Sequence, residues 1–208
     1  MLFEWLKLLS GKRIILASGS PRRKEILESI KLGIEVQASD FEENLNPDDF
    51  KHFSEFVTET AYGKANDVVQ KTISDTIPVH LVIAADTMVV IDQQIMGKPK
   101  SNHSATTMLK TLSGRTHKVY TGVVLIWPET NEITRFCEST NVTFAKLSDT
   151  IISGYVSTGE PLDKAGGYGI QGLGGSLIES IEGDFYTVMG LPLHKFSYHV
   201  NDHYKNVK

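Results

Sequence analysis

Leu16-Ala17-Ser18-Gly19-Ser20-Pro21-Arg22-Arg23 connects two elements near the start of the chain. Residues 14–17 are uniformly apolar and predict a buried strand, whereas residues 24–30 predict a helix. Ser20 suits the helix N-cap, where its hydroxyl can accept a hydrogen bond from an unpaired backbone N–H. Pro21 suits the first helical position, because an N–H there has no intrahelical partner. The stretch therefore predicts a strand–turn–helix unit.

The turn of this unit has the composition of an anion-binding site. Gly19 allows a sharp turn and a close approach of the backbone to a ligand. The unpaired N–H groups and the dipole of the helix attract negative charge. Arg22 and Arg23 add planar guanidinium groups that fit phosphate oxygens. These eight residues are compatible with a triphosphate cradle, and equally with a capped helix that carries two solvated arginines.

The composition of the chain excludes several classes of function. Its 208 residues predict one large domain or at most two. The net charge of −4 provides no basic field for a nucleic-acid polymer, although it is compatible with a nucleotide substrate. Cys137 is the only cysteine, which rules out an intramolecular disulfide and a cysteine-based zinc site. A single cysteine also indicates a reducing compartment, so we expect a cytoplasmic protein.

The sequence predicts no contact with a membrane. No apolar run reaches the roughly 18 residues that a membrane-spanning helix needs. Residues 1–9 carry an acidic residue within their apolar part and lack a small-residue cleavage site. They therefore predict a short amphipathic extension packed on the domain rather than a signal peptide.

Strand and helix patterns alternate along the rest of the chain. Residues 159–175 carry seven glycines among charged and aromatic residues, which indicates a functional loop with close backbone approaches. Residues 184–193 predict a strand or a loop. The remaining predicted strands are residues 33–38, 79–91, 119–127 and 138–144, and the predicted helices are residues 50–70, 104–112, 148–156 and a last one from about 194.

Asp86 and Thr87 interrupt the most apolar run of the chain, residues 79–91. A carboxylate within a buried strand costs several kcal/mol unless it is paired or bound to a metal. Asp86 is therefore a candidate catalytic or metal-binding group. The alternative, which the residues leave open, is that its oxygens satisfy nearby loop N–H groups.

Other charged and polar residues suit a substrate with several phosphates, and the carboxylates among them suit Mg²⁺ or Mn²⁺. The chain has neither a Walker-type phosphate loop nor a nucleophile elbow, which argues against a P-loop ATPase and a serine hydrolase. We expect His117 to be a structural hydrogen-bonding residue. The full candidate set is Ser18, Ser20, Arg22, Arg23, Glu43, Lys64, Asp86, Thr87, Lys98, Glu160, Asp163, Lys164 and Gln171.

Six motifs occur in an order that resembles the Maf family of nucleoside triphosphate pyrophosphatases. The resemblance runs from about residue 13 to residue 197. It implies an α/β fold, Maf/ITPase-like, with an elongated mixed central sheet flanked by helices and two lobes around a deep cleft. Residues 1–12 would then be an N-terminal extension, and residues 13–208 a single domain of two interleaved lobes. The motifs are Leu16–Arg23, Ala84-Ala85-Asp86-Thr87, Gly97-Lys98-Pro99, Leu112-Ser113-Gly114-Arg115-Thr116-His117, Gly159–Gly172 and Gly190-Leu191-Pro192-Leu193.

The resemblance also implies a reaction and the residues that carry it. The reaction is hydrolysis of a nucleoside triphosphate between the α and β phosphates, giving the monophosphate and pyrophosphate. It needs a divalent metal cation, and a homodimer is usual for the family. By family role, Asp86 is the general base and binds the metal together with Glu43. The residues expected to bind substrate are Ser18, Ser20, Arg23, Lys64, Lys98, Asp163 and Lys164.

Three further positions divide the family by substrate. Arg22, Thr87 and Gln171 match the branch that prefers dTTP and UTP, and an amide at position 171 offers a donor and an acceptor to a uracil or thymine edge. We therefore expect dTTP, UTP and modified uridine triphosphates as substrates. Two alternatives are a 7-methyl-GTP pyrophosphatase and a non-catalytic nucleotide-binding regulator of cell division.

Overall fold

The computed structural model describes residues 2–206. Residue 1 of the predicted extension and residues 207 and 208 of the predicted domain lie outside the described part. The helices are α1 (Leu2–Leu9), α2 (Pro21–Ser29), α3 (Phe53–Thr72), α4 (Asn102–Leu112), α5 (Asp149–Ser157), α6 (Phe185–Met189) and α7 (Leu193–Asn206). The strands are β1 (Ile14–Leu16), β2 (Glu35–Val36), β3 (Leu81–Ile91), β4 (Gln94–Met96), β5 (Thr116–Trp127), β6 (Glu132–Phe144) and β7 (Ile178–Glu182).

The strands form one mixed seven-stranded sheet in the order β2-β1-β3-β5-β6-β7, with β4 paired to β3. Strand β1 runs parallel to both β2 and β3. The pairs β3–β4 and β6–β7 are antiparallel. With its helices on the sheet, the chain has the predicted α/β fold with a mixed central sheet. Among the described residues, no helix has the length and hydropathy that crossing a bilayer requires.

The chain divides into two compact units, each built from separate stretches of sequence. As far as they are described, the first unit contains Met1–Asp86, Thr121–Glu138 and Gly190–Lys208. The second contains Thr87–Tyr120 and Ser139–Met189.

The core of the first unit places helix α3 directly on the sheet. Ala61 and Ala65 face Val82 and Val124 in one fully buried cluster, and their small side chains let the helix approach the strands closely. A Cβ atom on Gly122 of β5 would lie 2.7 Å from the backbone of α3, so only glycine fits there. The close approach fixes the position of the polar side chains that α3 carries.

The N-terminal helix packs on the last helix of the same unit. Trp5 of α1 is 1% exposed, and its ring meets that of Phe196 in α7 edge to face with centroids 5.8 Å apart. Burial of an indole of this size contributes a few kcal/mol to the attachment of α1. The predicted amphipathic extension is therefore an ordered helix on the surface of the first unit.

In the second unit, helices α4 and α5 cover a core of aliphatic and aromatic side chains. His117, Phe144 and Tyr168 form an edge-to-face triangle with ring centroids 4.8–5.3 Å apart. His117 Nε2 and the Tyr168 hydroxyl lie 2.7 Å apart in a hydrogen bond. Burial lowers the pKa of His117 to about 4, so the imidazole is neutral at pH 7. As expected, His117 is a structural hydrogen-bonding residue.

Two elements near the end of the second unit differ from the prediction. Residues 184–193 contain helix α6 rather than the predicted strand or loop, because the Asp184 carboxylate caps the helix and accepts from the Thr187 N–H at 2.6 Å. Strand β7 was not predicted. Its residues are almost all exposed, so they carry little of the hydrophobic periodicity that marks a strand.

Candidate active site

The strand–turn–helix unit has the predicted architecture but a different hydrogen-bonding pattern. Strand β1 ends at Leu16 and helix α2 begins at Pro21. Ser20 is the N-cap residue by position, yet its hydroxyl makes no capping hydrogen bond. The Ser18 hydroxyl instead accepts from the Ser20 N–H at 3.3 Å and from Arg23 Nη1 at 2.9 Å. The predicted capping role of Ser20 is therefore wrong. The Ser18 hydroxyl makes the hydrogen bonds of this turn instead.

Arg23 is a buried cation at the start of α2. It is 8% exposed, and its Nε donates to the carbonyl oxygen of Gly190 at 2.9 Å. Burial lowers the pKa of Arg23, and the negative charges of Asp86 and Glu43 oppose that shift. An arginine keeps its proton at neutral pH in any such setting, so a fixed positive charge lies beside these carboxylates.

Lys64 of α3 brings two carboxylates together. Its ammonium Nζ lies 2.7 Å from Oδ1 of Asp86 and 2.8 Å from Oε1 of Glu43. The side chains of Lys64 and Asp86 are 12% and 17% exposed, whereas that of Glu43 is 57% exposed. The cost of placing Asp86 in an apolar strand is thus offset by a lysine, rather than by the loop N–H groups considered from the sequence.

The loop that carries Glu43 is attached to α3 by Asp67, one turn beyond Lys64. The Asp67 carboxylate accepts from the Ser39 hydroxyl at 2.8 Å and from the Asp40 N–H at 2.9 Å. Lys71 Nζ also lies 2.7 Å from the same oxygen. Partial burial raises the pKa of Asp67, but these hydrogen bonds outweigh it and the pKa is lowered. The sequence alone does not indicate this role for Asp67, although its spacing from Lys71 is that of a helical ion pair.

The donor set around Lys64 fits a divalent cation that is shared with a phosphate. Two carboxylates already reach one positive charge, and carboxylate oxygens are hard donors that suit Mg²⁺ or Mn²⁺. Within residues 2–206 there is no group of three or more His, Cys, Asp or Glu side chains placed to hold a metal. Magnesium sites that use one or two carboxylates take further ligands from substrate phosphates, which matches this set.

The second unit carries the other predicted residues. Lys98 lies on an exposed loop whose Gly97 carbonyl accepts from the Gly166 N–H at 3.1 Å. Lys164 is 12% exposed, and its Nζ donates to the Asp163 carboxylate at 2.6 Å. The glycine-rich segment therefore contacts the loop of Lys98 through its backbone.

The predicted site residues fall into two groups, one in each unit. The first unit holds Ser18, Ser20, Arg22, Arg23, Glu43, Lys64 and Asp86. The second holds Thr87, Lys98, Glu160, Asp163, Lys164 and Gln171. Within the first group, hydrogen bonds or ion pairs join Ser18 to Arg23 and Lys64 to both Glu43 and Asp86.

The sequence did not predict the hydrogen-bond partners of Gly190 and of the candidate Glu160. Gly190, with a φ of 119° that other residues rarely adopt, supplies the carbonyl that holds Arg23. Glu160 accepts three hydrogen bonds inside the glycine-rich segment. The Gly190-Leu191-Pro192-Leu193 motif and the glycine content were visible signals, but neither identifies the partner.

A protein family and several relatives match most of the chain. The family described as Maf-like protein matches residues 13–203. A dTTP/UTP pyrophosphatase of Clostridium perfringens (strain SM101 / Type A) is 47% identical over 184 residues, which cover 88% of this chain and 93% of that protein. A dTTP/UTP pyrophosphatase of Bacillus cereus (strain G9842) is 46% identical over 182 residues, covering 88% and 91%.

Among solved structures, the Staphylococcus aureus Ham1 protein has a TM-score of 0.45 and 18% identity over 80% of each chain. The family match spans nearly all of the described residues, and the relatives are aligned over most of their own length. The chain therefore belongs to the Maf family.

Proposed function

We propose that the chain is a nucleoside triphosphate pyrophosphatase for dTTP and UTP. It hydrolyses the substrate between the α and β phosphates to the monophosphate and pyrophosphate, and it removes modified uridine triphosphates in the same way. The observation that carries the proposal is the pairing of Asp86 and Glu43 on Lys64 beside the buried Arg23. The names of the 46–47% identical relatives support the substrate class.

In the proposed mechanism Asp86 is the general base. Its carboxylate accepts a proton from water while the water oxygen forms a bond to phosphorus. The anhydride P–O bond breaks, and pyrophosphate leaves with the electrons of that bond. Lys64 holds the Asp86 carboxylate at 2.7 Å, so the base is positioned before the substrate arrives.

The cations of the chain bind and orient the phosphates. Phosphoryl transfer depends mainly on positioning and on stabilising charge, so fixed cations are the main requirement. The hydrogen bonds of Arg23 to Ser18 and Gly190 hold its guanidinium in one place and reduce the reorganisation that binding requires. We propose that Ser18, Ser20, Arg23 and Lys64 bind the substrate. We propose the same role for Lys98, Asp163 and Lys164.

A divalent cation, Mg²⁺ or Mn²⁺, bound by Glu43 and Asp86 would neutralise phosphate charge and make a bound water more acidic. Asp67 keeps the loop of Glu43 on α3, so that this carboxylate reaches the same point as Asp86.

We propose that the specificity for pyrimidines rests on Arg22, Thr87 and Gln171. Gln171 is exposed at the surface of the second unit, where its amide can offer both a donor and an acceptor to the edge of a base. A uracil or thymine edge presents the complementary acceptor and donor.

We also propose that residues 13–208 form one catalytic domain of two interleaved lobes, which acts as a cytoplasmic homodimer. The chain belongs to the Maf family, for which a homodimer is usual, and this supports the dimer. Light scattering of the purified chain should give twice the mass of one protomer, and a monomeric mass at working concentration would contradict the dimer.

The test is pyrophosphate release from dTTP, UTP, dGTP and 7-methyl-GTP with Mg²⁺ or Mn²⁺. We expect turnover of dTTP and UTP, and a loss of at least about hundredfold in kcat for Asp86→Asn with nucleotide binding retained. Asp149→Asn, which changes an exposed aspartate paired with Lys110, is the matched control and should keep full activity.

Three results would overturn parts of the proposal. Turnover of 7-methyl-GTP alone would contradict the roles of Arg22, Thr87 and Gln171. Binding of nucleotides without any turnover by the wild type would favour the regulator. A fully active Asp86→Asn variant would exclude Asp86 as the base.

A further inference from the structure

The glycine-rich segment folds around the side chain of its own second residue, Glu160. Oε1 of Glu160 accepts from the Tyr155 hydroxyl at 2.9 Å and from the Gly174 N–H at 3.0 Å. Oε2 accepts from the Leu173 N–H at 3.0 Å. One carboxylate therefore joins helix α5 to the far end of the segment, 13 and 14 residues further along the chain.

The glycines of the segment make room for this carboxylate. A Cβ atom on Gly172 would lie 2.7 Å from both oxygens of Glu160, and one on Gly174 would lie 2.5 Å from the Tyr155 hydroxyl. Real Cβ atoms do not approach oxygen so closely, so a larger residue would force the carboxylate or the backbone to move. The high glycine content thus has a cause inside the segment itself.

The hydrogen bonds leave Gln171 at the centre of a turn with two anchored ends. At one end, the Gly169 N–H donates to the Tyr155 hydroxyl at 3.2 Å. At the other, the Leu173 N–H donates to Glu160. Between them the Gly172 N–H donates to the Gly169 carbonyl at 3.2 Å, which closes the turn. Gln171 is exposed, whereas Tyr155 is buried and Glu160 is partly buried.

Glu160 also contacts Lys164, a cationic residue of the same segment. Lys164 Nζ donates to the Glu160 carbonyl oxygen at 2.8 Å as well as to Asp163. The residue therefore contacts Lys164 through its backbone and the Gln171 turn through its side chain. Both of these side chains belong to the group proposed above to meet the nucleotide.

We propose that Glu160 is a positioning residue for substrate specificity, which fixes the turn of Gln171 so that the Gln171 amide meets the pyrimidine edge. The inference rests on the proposed function and deepens it. The Glu160 carboxylate accepts hydrogen bonds from three protein donors, so Glu160 acts through Gln171 and does not touch the base itself. Hydrogen bonds to an ionised acceptor are roughly twice as strong as neutral ones, which suits a carboxylate to this task.

The test is Glu160→Gln, which keeps the shape of the side chain and replaces one acceptor oxygen by a donor. That donor must face either the Leu173 N–H or the Tyr155 and Gly174 donors, so the turn loosens. We expect kcat/KM for dTTP and UTP to fall about tenfold to hundredfold. The preference for UTP over dGTP should fall toward the value that Gln171→Ala gives.

A double variant separates positioning from a general loss of structure. If Glu160 acts through Gln171, the variant carrying both Glu160→Gln and Gln171→Ala has the same UTP/dGTP preference as Gln171→Ala alone. A merely structural role would lower the rates for UTP and dGTP equally and leave their ratio at the wild-type value. An unchanged ratio in folded Glu160→Gln would overturn the inference.

Two further variants keep the test decisive. Glu179→Gln removes the same charge from an exposed position in β7 and should leave rates and ratio unchanged. Tyr155→Phe removes one of the three donors to Glu160, and should shift the ratio in the same direction by a smaller factor. It replaces Glu160→Gln if that protein does not fold.

The outcome for Glu160 is separable from the outcome for the proposed function. A wild type that hydrolyses and prefers UTP, with an unchanged preference in the variants, contradicts only the role of Glu160. A wild type without turnover contradicts the proposed function. In that case calorimetric binding of UTP and dGTP measures the preference, and the same comparison of variants decides the inference.

Discussion

Asp86 and Glu160 are both carboxylates with a lysine nearby, but the chain holds them in opposite ways. Asp86 pairs with the ammonium of Lys64, a long side chain that it shares with Glu43. Glu160 accepts from two backbone N–H groups and a tyrosine hydroxyl. An ammonium on a flexible stem can exchange one carboxylate for a phosphate or yield to a metal ion. Backbone donors cannot leave without unfolding the turn.

The difference supports the different tasks that we propose for the two carboxylates. A carboxylate paired with a lysine ammonium, which can also bind other anions, stays available for reaction, and this suits a general base or metal ligand. A carboxylate held by fixed neutral donors becomes part of the scaffold, which suits a positioning residue. The pKa of Glu160 agrees with this assignment. Burial raises it, but the Gly174 and Leu173 N–H groups and the Tyr155 hydroxyl together lower it, so Glu160 stays ionised at neutral pH.

The largest expected effect comes from removing the cation on the Asp86 side. Lys64→Gln leaves two carboxylates without their common partner and removes a charge that we propose binds phosphate. We expect kcat/KM for dTTP to fall by about a hundredfold or more, measured as pyrophosphate release. Lys110→Gln breaks an exposed ion pair with Asp149 and should change the rate by less than about twofold. Similar rates for Lys64→Gln and Lys110→Gln would contradict the proposal that Lys64 positions Asp86.

A second prediction concerns His117, a buried neutral residue that is hydrogen-bonded to Tyr168 of the glycine-rich segment. Burial lowers the pKa of His117 to about 4, against about 6.5 in an unfolded chain. Between these two values the unfolded chain binds a proton that the folded chain excludes. The contribution of His117 to the free energy of unfolding is therefore complete above pH 6.5. It falls as the pH drops toward 4, by about 3 kcal/mol in total.

His117→Gln keeps a polar partner for the Tyr168 hydroxyl but cannot titrate. Urea unfolding at pH 7 and pH 4.5 should show a smaller acid loss in the variant than in the wild type. Since Glu160 and other carboxylates titrate in both proteins, the difference between the two losses reports His117. Equal losses would mean that the buried imidazole does not sense pH.

The smallest expected effect comes from crowding the Glu160 carboxylate without changing any charge. A Cβ atom at Gly172 meets both Glu160 oxygens at 2.7 Å, so Gly172→Ala should displace the turn and lower kcat/KM for UTP about tenfold. Gly154→Ala in α5 has nothing within 4 Å of the new Cβ atom. It should keep activity and add roughly 0.5–1 kcal/mol of stability, because alanine favours a helix. Full activity of Gly172→Ala would show that the turn tolerates displacement.

The sequence predicted Asp86 as a candidate site residue but not its partner. Apolar runs and turn residues predicted most strands and helices, and a charge inside the 79–91 run identified Asp86. Its partner Lys64 lies 22 residues earlier, and nothing local to either residue states that they meet. The resemblance to the Maf family gave each residue a role at the substrate site but did not predict that the two side chains pair.

Hydrogen bonds from the backbone were beyond prediction for a physical reason. Which N–H groups reach Glu160, and which carbonyl reaches Arg23, depends on the path of the chain through residues 160–174 and around Gly190. Side-chain identity leaves that path open. Helix α6 was mistaken for a strand or loop for a related reason, since the cap that Asp184 provides depends on the backbone conformation.

The most direct test of the account is the identity of the products that dTTP gives. With Mg²⁺ or Mn²⁺ present, ³¹P NMR of the wild-type reaction should show dTMP and pyrophosphate. The Asp86→Asn protein should bind dTTP and release neither product at a comparable rate. Formation of dTDP and inorganic phosphate, or the same products at the same rate from Asp86→Asn, would contradict a pyrophosphatase that uses Asp86 as its base.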